Sequence, residues 1–162
     1  MSREIRTEPL TADGFAPFGD VLELRERPDK MINAGLCGRH HDLAALDFGP
    51  EGRAGISLFD AVPRQLPYEL SLLERHPEGS QAFLSLTEHP FLVIVAPDEN
   101  GQPGQPRAFL TAPHQGINFH RGTWHGVLTP LQAPGLFAVV DRIGATPNLE
   151  EVFLDPPYIV VP

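Results

Sequence analysis

Tyr68-Glu-Leu-Ser-Leu-Leu-Glu-Arg-His76 is the stretch whose reading decides the fold. Its apolar residues recur at every second position, the period of a strand with one buried face. Tyr68, Leu70, Leu72, Glu74 and His76 share that face. The face is apolar until its last two members, a carboxylate and an imidazole. If it points inward, the strand carries both groups into the interior at its end. A turn follows at Pro77-Glu-Gly79, and Gln81 opens the next apolar run. Carboxylate, imidazole and amide oxygen then meet at one end of a barrel. They are hard-to-borderline ligands suited to Mn, Ni, Zn or Fe(II). Taken alone, the run also reads as a solvated strand end, because charged residues are mostly exposed.

Outward from this run, short apolar or alternating segments bounded by Gly, Pro, Asn or Asp fill the chain. They cover Asp20 to Leu24, Gly55 to Asp60, Gln81 to Thr87, Phe91 to Ala96, Arg107 to Thr111, Gly116 to Arg121, Gly126 to Leu131, Gly135 to Asp141 and Glu151 to Leu154. Helical signal is confined to Thr11 to Phe15, with Thr11 as N-cap, and His41 to Leu46. Pro97 to Pro106 reads as a flexible polar loop. With 18 Pro and 15 Gly, about a fifth of the chain, a long-helix bundle is excluded. The pattern predicts one all-β domain over residues 1–162, an antiparallel sandwich or barrel with one or two short helices.

The chain has 162 residues and a net charge of −9, which disfavours nucleic acid and anionic membrane as partners. A small anionic substrate remains compatible with a local arginine cluster. The single cysteine, Cys37, excludes an internal disulfide and a cysteine zinc cage. Met1 to Leu10 is charged and carries no secretory h-region, so a cytoplasmic location is expected. The apolar run Phe91 to Ala96 is far too short to span a bilayer.

A second cluster is His114-Gln-Gly-Ile-Asn-Phe-His120-Arg-Gly-Thr-Trp-His125. It gathers three of the seven histidines, and Gly122 makes a turn between His120 and His125. Alone, it is also compatible with one structural and one exposed histidine. Two such clusters, both at strand ends, favour a site. In a regular strand Asn118 and His120 share a face opposite Phe119.

These residues resemble the two motifs of the cupins, which are double-stranded β-helix (jelly-roll) barrels. Glu74-x-His76-x4-Gln81 keeps the ligand spacing of the first motif, with Glu74 in place of its first His and Gln81 in place of its Glu. His120-Arg-Gly122-Thr-Trp-His125 matches the second, with His120 in place of Pro. The resemblance is closer to the ureidoglycolate lyase family. It is carried by Ile32-Asn-Ala-Gly35, Arg39-His-His-Asp-Leu-Ala44, Glu74-Arg-His-Pro-Glu-Gly-Ser-Gln-Ala-Phe83, Phe91-Leu-Val-Ile-Val-Ala-Pro97, Gln115 to His125, and Val139-Val-Asp-Arg142 with Asn148-Leu-Glu-Glu151. It runs from about Ile5 to Leu154.

The resemblance implies release of urea and glyoxylate from ureidoglycolate, late in allantoin breakdown, by a homodimer. That collapse needs a base for the hydroxyl proton and an acid for the departing nitrogen. Glu74, His76, Gln81 and His125 are expected to hold a divalent metal, Ni, Mn or Zn. His120 is the acid or base candidate, with Arg121 and Asp141 as further catalytic candidates. Asn33, Arg64 and Arg142 are candidates for binding the substrate, with Arg121 a further choice for its carboxylate. A different cupin enzyme, such as a small dioxygenase or isomerase, and a non-catalytic ligand-binding cupin are the alternatives. A storage or assembly module is disfavoured, since burying unpaired ionisable groups is costly.

Overall fold

The computed structural model describes residues 3–162. In chain order its elements are β1 (Arg3–Pro9), α1 (Ala12–Phe15), β2 (Gly19–Leu22), β3 (Lys30–Ile32), β4 (Cys37–Arg39), β5 (Arg53–Ala61), β6 (Tyr68–Arg75), β7 (Gln81–Ser85), β8 (Phe91–Ala96), β9 (Asp98–Glu99), β10 (Gln102–Pro103), β11 (Arg107–Leu110), β12 (Gly116–Phe119), β13 (Trp124–His125), β14 (Thr129–Pro130), β15 (Gly135–Ile143) and β16 (Glu150–Val161). None of these is a helix long and apolar enough to cross a membrane.

One sheet runs β11-β1-β16-β6-β13-β8-β14, and β11 also pairs with β8. That last pairing closes the sheet on itself, which removes free edges. A second sheet runs β2-β12-β7-β15-β5. The result is a nearly all-β molecule with a closed barrel of cupin type. It is mixed rather than wholly antiparallel, because β1 lies parallel to both β11 and β16.

Strand β8 buries all six of its residues because it has a core on each face. Phe91, Val93 and Val95 pack with Phe83, Ile117, Phe119, Phe137 and Val139 of the second sheet. Leu92, Ile94 and Ala96 pack inside the closed sheet with Leu70, Leu73, Trp124 and Val160. The helical turn α1 plugs the first of these cores with Phe15, and Thr11 caps it by accepting from the Gly14 N–H.

Several expectations are corrected. His41 to Leu46 is not helical: the Ala45 N–H donates to Asp20 Oδ2, and its carbonyl accepts from Asn118 Nδ2. Those backbone groups are spent across the sheet, not four residues along the chain. Gly126 to Leu131 is not one strand; β13 and β14 flank a break. Pro97 to Pro106 is not a free loop but carries the β9–β10 hairpin. Asp98 ties it down through Trp124 Nε1, Arg75 and the Gly101 N–H. The common face of Tyr68 to His76 is broken in the middle. Leu70 and Leu73, three apart, are both buried inside the closed sheet. The break faces an irregularity in β16 between Phe153 and Tyr158. Beyond it, Glu74 pairs in register with His125, so it is the later residues of the run that turn toward the space between the sheets.

Candidate active site

His125 is the centre of the polar cluster. It is 2% exposed, and its ring lies stacked on Phe119 at 4.2 Å. His76 follows the end of β6, and its ring centre is 5.1 Å from that of His125. Glu74 lies two residues before His76 and pairs in register with His125. One potential ligand atom from each of Glu74, His76 and His125 lies within 4.8 Å of the others.

Both imidazoles are held in one orientation. His76 Nδ1 is 2.8 Å from the Asn148 carbonyl, and His125 Nδ1 is 2.8 Å from the Gly126 carbonyl. A carbonyl only accepts, so each Nδ1 carries the hydrogen and each Nε2 presents its lone pair. Burial pushes the His125 imidazole down to about 3; the Gly126 carbonyl opposes this and nearby His76 adds to it. His125 is therefore neutral, the form that ligates metals. Burial also pushes the Glu74 carboxyl up; His76 offsets this, and Glu151 on the adjoining strand reinforces it.

Gln81 opens β7 directly after the turn and is paired in register with both Phe119 and Asp141. Its Nε2 donates to Asp141 Oδ2 at 3.1 Å. With the amide nitrogen engaged, Oε1 is turned away from Asp141. Among the described residues, the buried side-chain polar atoms without a partner are His76 Nε2, Gln81 Oε1, Asn118 Oδ1 and His125 Nε2. Unpaired buried acceptors are uncommon and costly. Three of these four belong to the expected ligand positions, and the fourth position is the Glu74 carboxylate. The donor set of two imidazoles, a carboxylate and an amide oxygen fits a borderline divalent ion.

The remaining candidates lie elsewhere. His120 shares the outer face of the second sheet with Asn118, opposite Phe119, and its Nε2 is 3.0 Å from Asp20 Oδ2. Burial alone would push Asp20 up, but hydrogen bonds from Asn118, the Ala45 N–H and His120 hold it below its ordinary value. Arg121 is bound to Asp47 at 2.7 Å. Asp141 is in the interior layer, through Gln81. Arg142, the next residue, leaves the sheet on the other face and donates from Nε to the Phe48 carbonyl. Asn33 is exposed in the turn between β3 and β4, with φ 53°. Arg64 is exposed, and its N–H donates to Pro130, the residue paired with Phe91 at the start of β8. His125 pairs with Val95 near the other end of that strand. Arg64 and the Glu74 cluster are therefore at opposite ends of the barrel.

Sequence reasoning missed two supports of the cluster and one contact on the outer face. Asn148 holds His76 through its carbonyl and the Glu78 N–H through its side chain, 70 or more residues away in the chain. Phe119 stacks on His125. Asp20 fixes His120 and Asn118. Strand parity set Phe119 on the face opposite Asn118 and His120; Asn148 lies in a segment that carries the family resemblance, but nothing local signalled its bond to His76.

A closed β-barrel with a carboxylate–imidazole cluster between its sheets defines the cupin class of protein. The family model described as ureidoglycolate lyase matches residues 2–161. Similar proteins include the "Ureidoglycolate lyase" of Rhodobacter capsulatus, 64% identical over 94% of this chain and 95% of that protein. One from Chelativorans sp. with the same name is 54% identical over 96% and 95% of the two chains. The "Ureidoglycolate lyase 2" of Rhizobium meliloti is 52% identical over 94% of each. The chain belongs to the ureidoglycolate lyase family.

Proposed function

We infer that this chain is itself a ureidoglycolate lyase, releasing urea and glyoxylate from ureidoglycolate, with a divalent metal held by Glu74, His76, Gln81 and His125. The observation that carries the metal assignment is the set of buried acceptor atoms without partners at His76, Gln81 and His125. The carbon that reacts bears a hydroxyl, a carboxylate and a urea nitrogen. A divalent ion at this position would acidify a bound hydroxyl and carry part of the carboxylate's charge. The protein's own part is positional. Asp141 aims the Gln81 oxygen, the Asn148 and Gly126 carbonyls aim the two imidazoles, and Phe119 covers the flank of His125. Burial raises the proton affinity of the Glu74 carboxyl in the ion-free cluster, and a bound cation would reverse that and keep it a carboxylate ligand.

The alternative of a dioxygenase is not favoured. Glyoxylate formation from ureidoglycolate is expected from purified protein, falling after metal stripping and returning with Ni or Mn. No turnover in any metal state overturns the reading. Separately, His125→Ala is expected to lose bound metal while keeping its far-ultraviolet circular dichroism. Unchanged metal content removes His125 from the ligand set.

We also propose that the chain works as a cytoplasmic homodimer. The support for pairing is the outer face of the second sheet. Leu58, Ala138 and Leu84 lie side by side across β5, β15 and β7, with Ile56 and Val140 in the row below. Ile56 is 77% and Leu58 74% exposed. An apolar sheet face of this kind is a usual contact surface between subunits.

A further inference from the structure

Arg142 is 8% exposed and is the one arginine or lysine in the buried class among the described residues. A guanidinium stays protonated, so it is a permanent positive charge. Of the half-buried arginines, Arg75 has Asp98 and Glu150, Arg107 has Glu8, and Arg3 lies over the Tyr158 ring and donates to the Pro156 carbonyl. No carboxylate of the described residues lies within salt-bridge distance of Arg142. Its only hydrogen bond is from Nε to the Phe48 carbonyl at 2.9 Å. The two terminal nitrogens have no acceptor among the described residues, and they are not among the buried unpartnered atoms, so the fork reaches solvent while the rest of the side chain is buried. The charge is thus offered to solvent in a fixed place with no counter-charge of the protein's own.

The surroundings are built to keep side chains off this group. A methyl on Gly144 would come within contact of both terminal nitrogens. One on Gly52 would lie 2.6 Å from Nε, and one on Gly79 would lie 3.0 Å from the Arg142 Cβ. A methyl on Gly49 would lie 3.4 Å from Arg142 Nε and 3.4 Å from Arg121 Nη2. Two guanidinium groups therefore flank the same glycine. The facing groups are the Asp47 carboxylate, which binds Arg121 and the Gly49 N–H, and the carbonyls of Phe48 and Glu78. On the Arg121 side of this group, and not reaching Arg142, a cleft of about 440 Å³ is lined by Ala45, Leu46, Asp47, His120 and Arg121.

We propose that Arg142, flanked by Arg121, is the seat of a small oxyanion, a carboxylate or a phosphate, outside the barrel and across β15 from the Glu74 cluster. The forked terminal nitrogens match two oxygens of such a group. Asp141 and Arg142 point to opposite faces of the same strand, so an anion on Arg142 is a separate ligand from anything held at Glu74. The inference does not depend on the lyase reading.

The test is a titration of the purified protein with acetate, glyoxylate and inorganic phosphate at constant ionic strength, followed by calorimetry and thermal shift. The wild type is expected to show saturable binding, and Glu74→Gln to keep it. Arg142→Met is expected to lose it. Arg142→Lys, which keeps the charge without the fork, is expected to bind about tenfold more weakly. This variant decides the matter if Arg142→Met fails to fold. Response to acetate and glyoxylate alone assigns the seat to carboxylates; response to phosphate alone assigns it to phosphate. Absence of saturable binding in the wild type overturns the proposal. So does equal binding by Arg142→Lys, or loss of binding in Glu74→Gln with none in Arg142→Met.

Discussion

Gln81 shows how much of the cluster rests on single hydrogen bonds. Its amide oxygen and nitrogen are nearly the same size, and only the bond to Asp141 Oδ2 decides which one faces His125's side of the layer. Asp141→Leu removes that control and is expected to weaken divalent-metal binding by about 10- to 100-fold, read by competition with a chromogenic chelator. His125 gives a pH signature. Its folded-state proton affinity lies at about 3 against an ordinary 6.5. Between those values the unfolded chain takes up a proton that the folded chain refuses. Stability contributed here is therefore full above the ordinary value and falls as the solution is acidified toward the lower one. The slope is up to about 1.4 kcal/mol per pH unit. Urea unfolding of the metal-free protein at about pH 7 and about pH 5 measures it. His125→Phe, which keeps a ring against Phe119, is expected to flatten the difference. Glu74 and His76 could be placed together because alternation holds over the last residues of the run, although the face is broken at Leu73; His125 was joined to them by the resemblance to the second cupin motif. The tie from His76 to Asn148 could not, because it joins residues 72 apart through a loop carbonyl.

Among the elements, the segment after Leu46 is joined to the approach of β7 through Ser80. Ser80 Oγ accepts from the Asp47 N–H at 2.8 Å, and the Ser80 N–H donates to the Asp47 carbonyl at 2.7 Å. Ser80 is 1% exposed. Ser80→Ala leaves a buried N–H without its acceptor and is expected to cost about 1–3 kcal/mol in urea unfolding. The same change loosens the cover over Arg142, so hydrogen exchange should rise at Gly49 before it rises in β7. The strands with strong apolar signatures, β7, β8, β11 and β15, were legible because burial on one or both faces dictates their composition. β1 was not. Its sequence, Arg3-Glu-Ile-Arg-Thr-Glu-Pro9, is mostly polar, yet it lies between two strands of the closed sheet. Ile5 is its one member in the core within the closed sheet. One buried residue leaves no periodicity to read. β16 was read only as far as Leu154, because Pro156 and Pro157 look like an end. The strand absorbs them in an irregularity and continues to Val161.

For the whole molecule, the open question of pairing has a direct readout. Leu58→Asp places a charge in the middle of the exposed apolar face, far from the Glu74 cluster. Sedimentation is expected to show a dimer for the wild type and a monomer for the variant, with circular dichroism unchanged. A monomeric wild type refutes pairing itself; a dimeric variant refutes this face. The architecture was legible as all-β from the density of short strands and the scarcity of helical signal. Its mixed sheet was not, since parallel pairing leaves no local mark when the partners are a chain length apart. That pairing also orders events in time. Arg3 is held against Tyr158 and Ile5 against Val160, so β1 can sit against β11 but has no neighbour on its other side until β16, about 150 residues further along the chain, is available. Ring closure is therefore the late event in folding, with a large loop entropy behind it, and until it happens β1 carries an open edge.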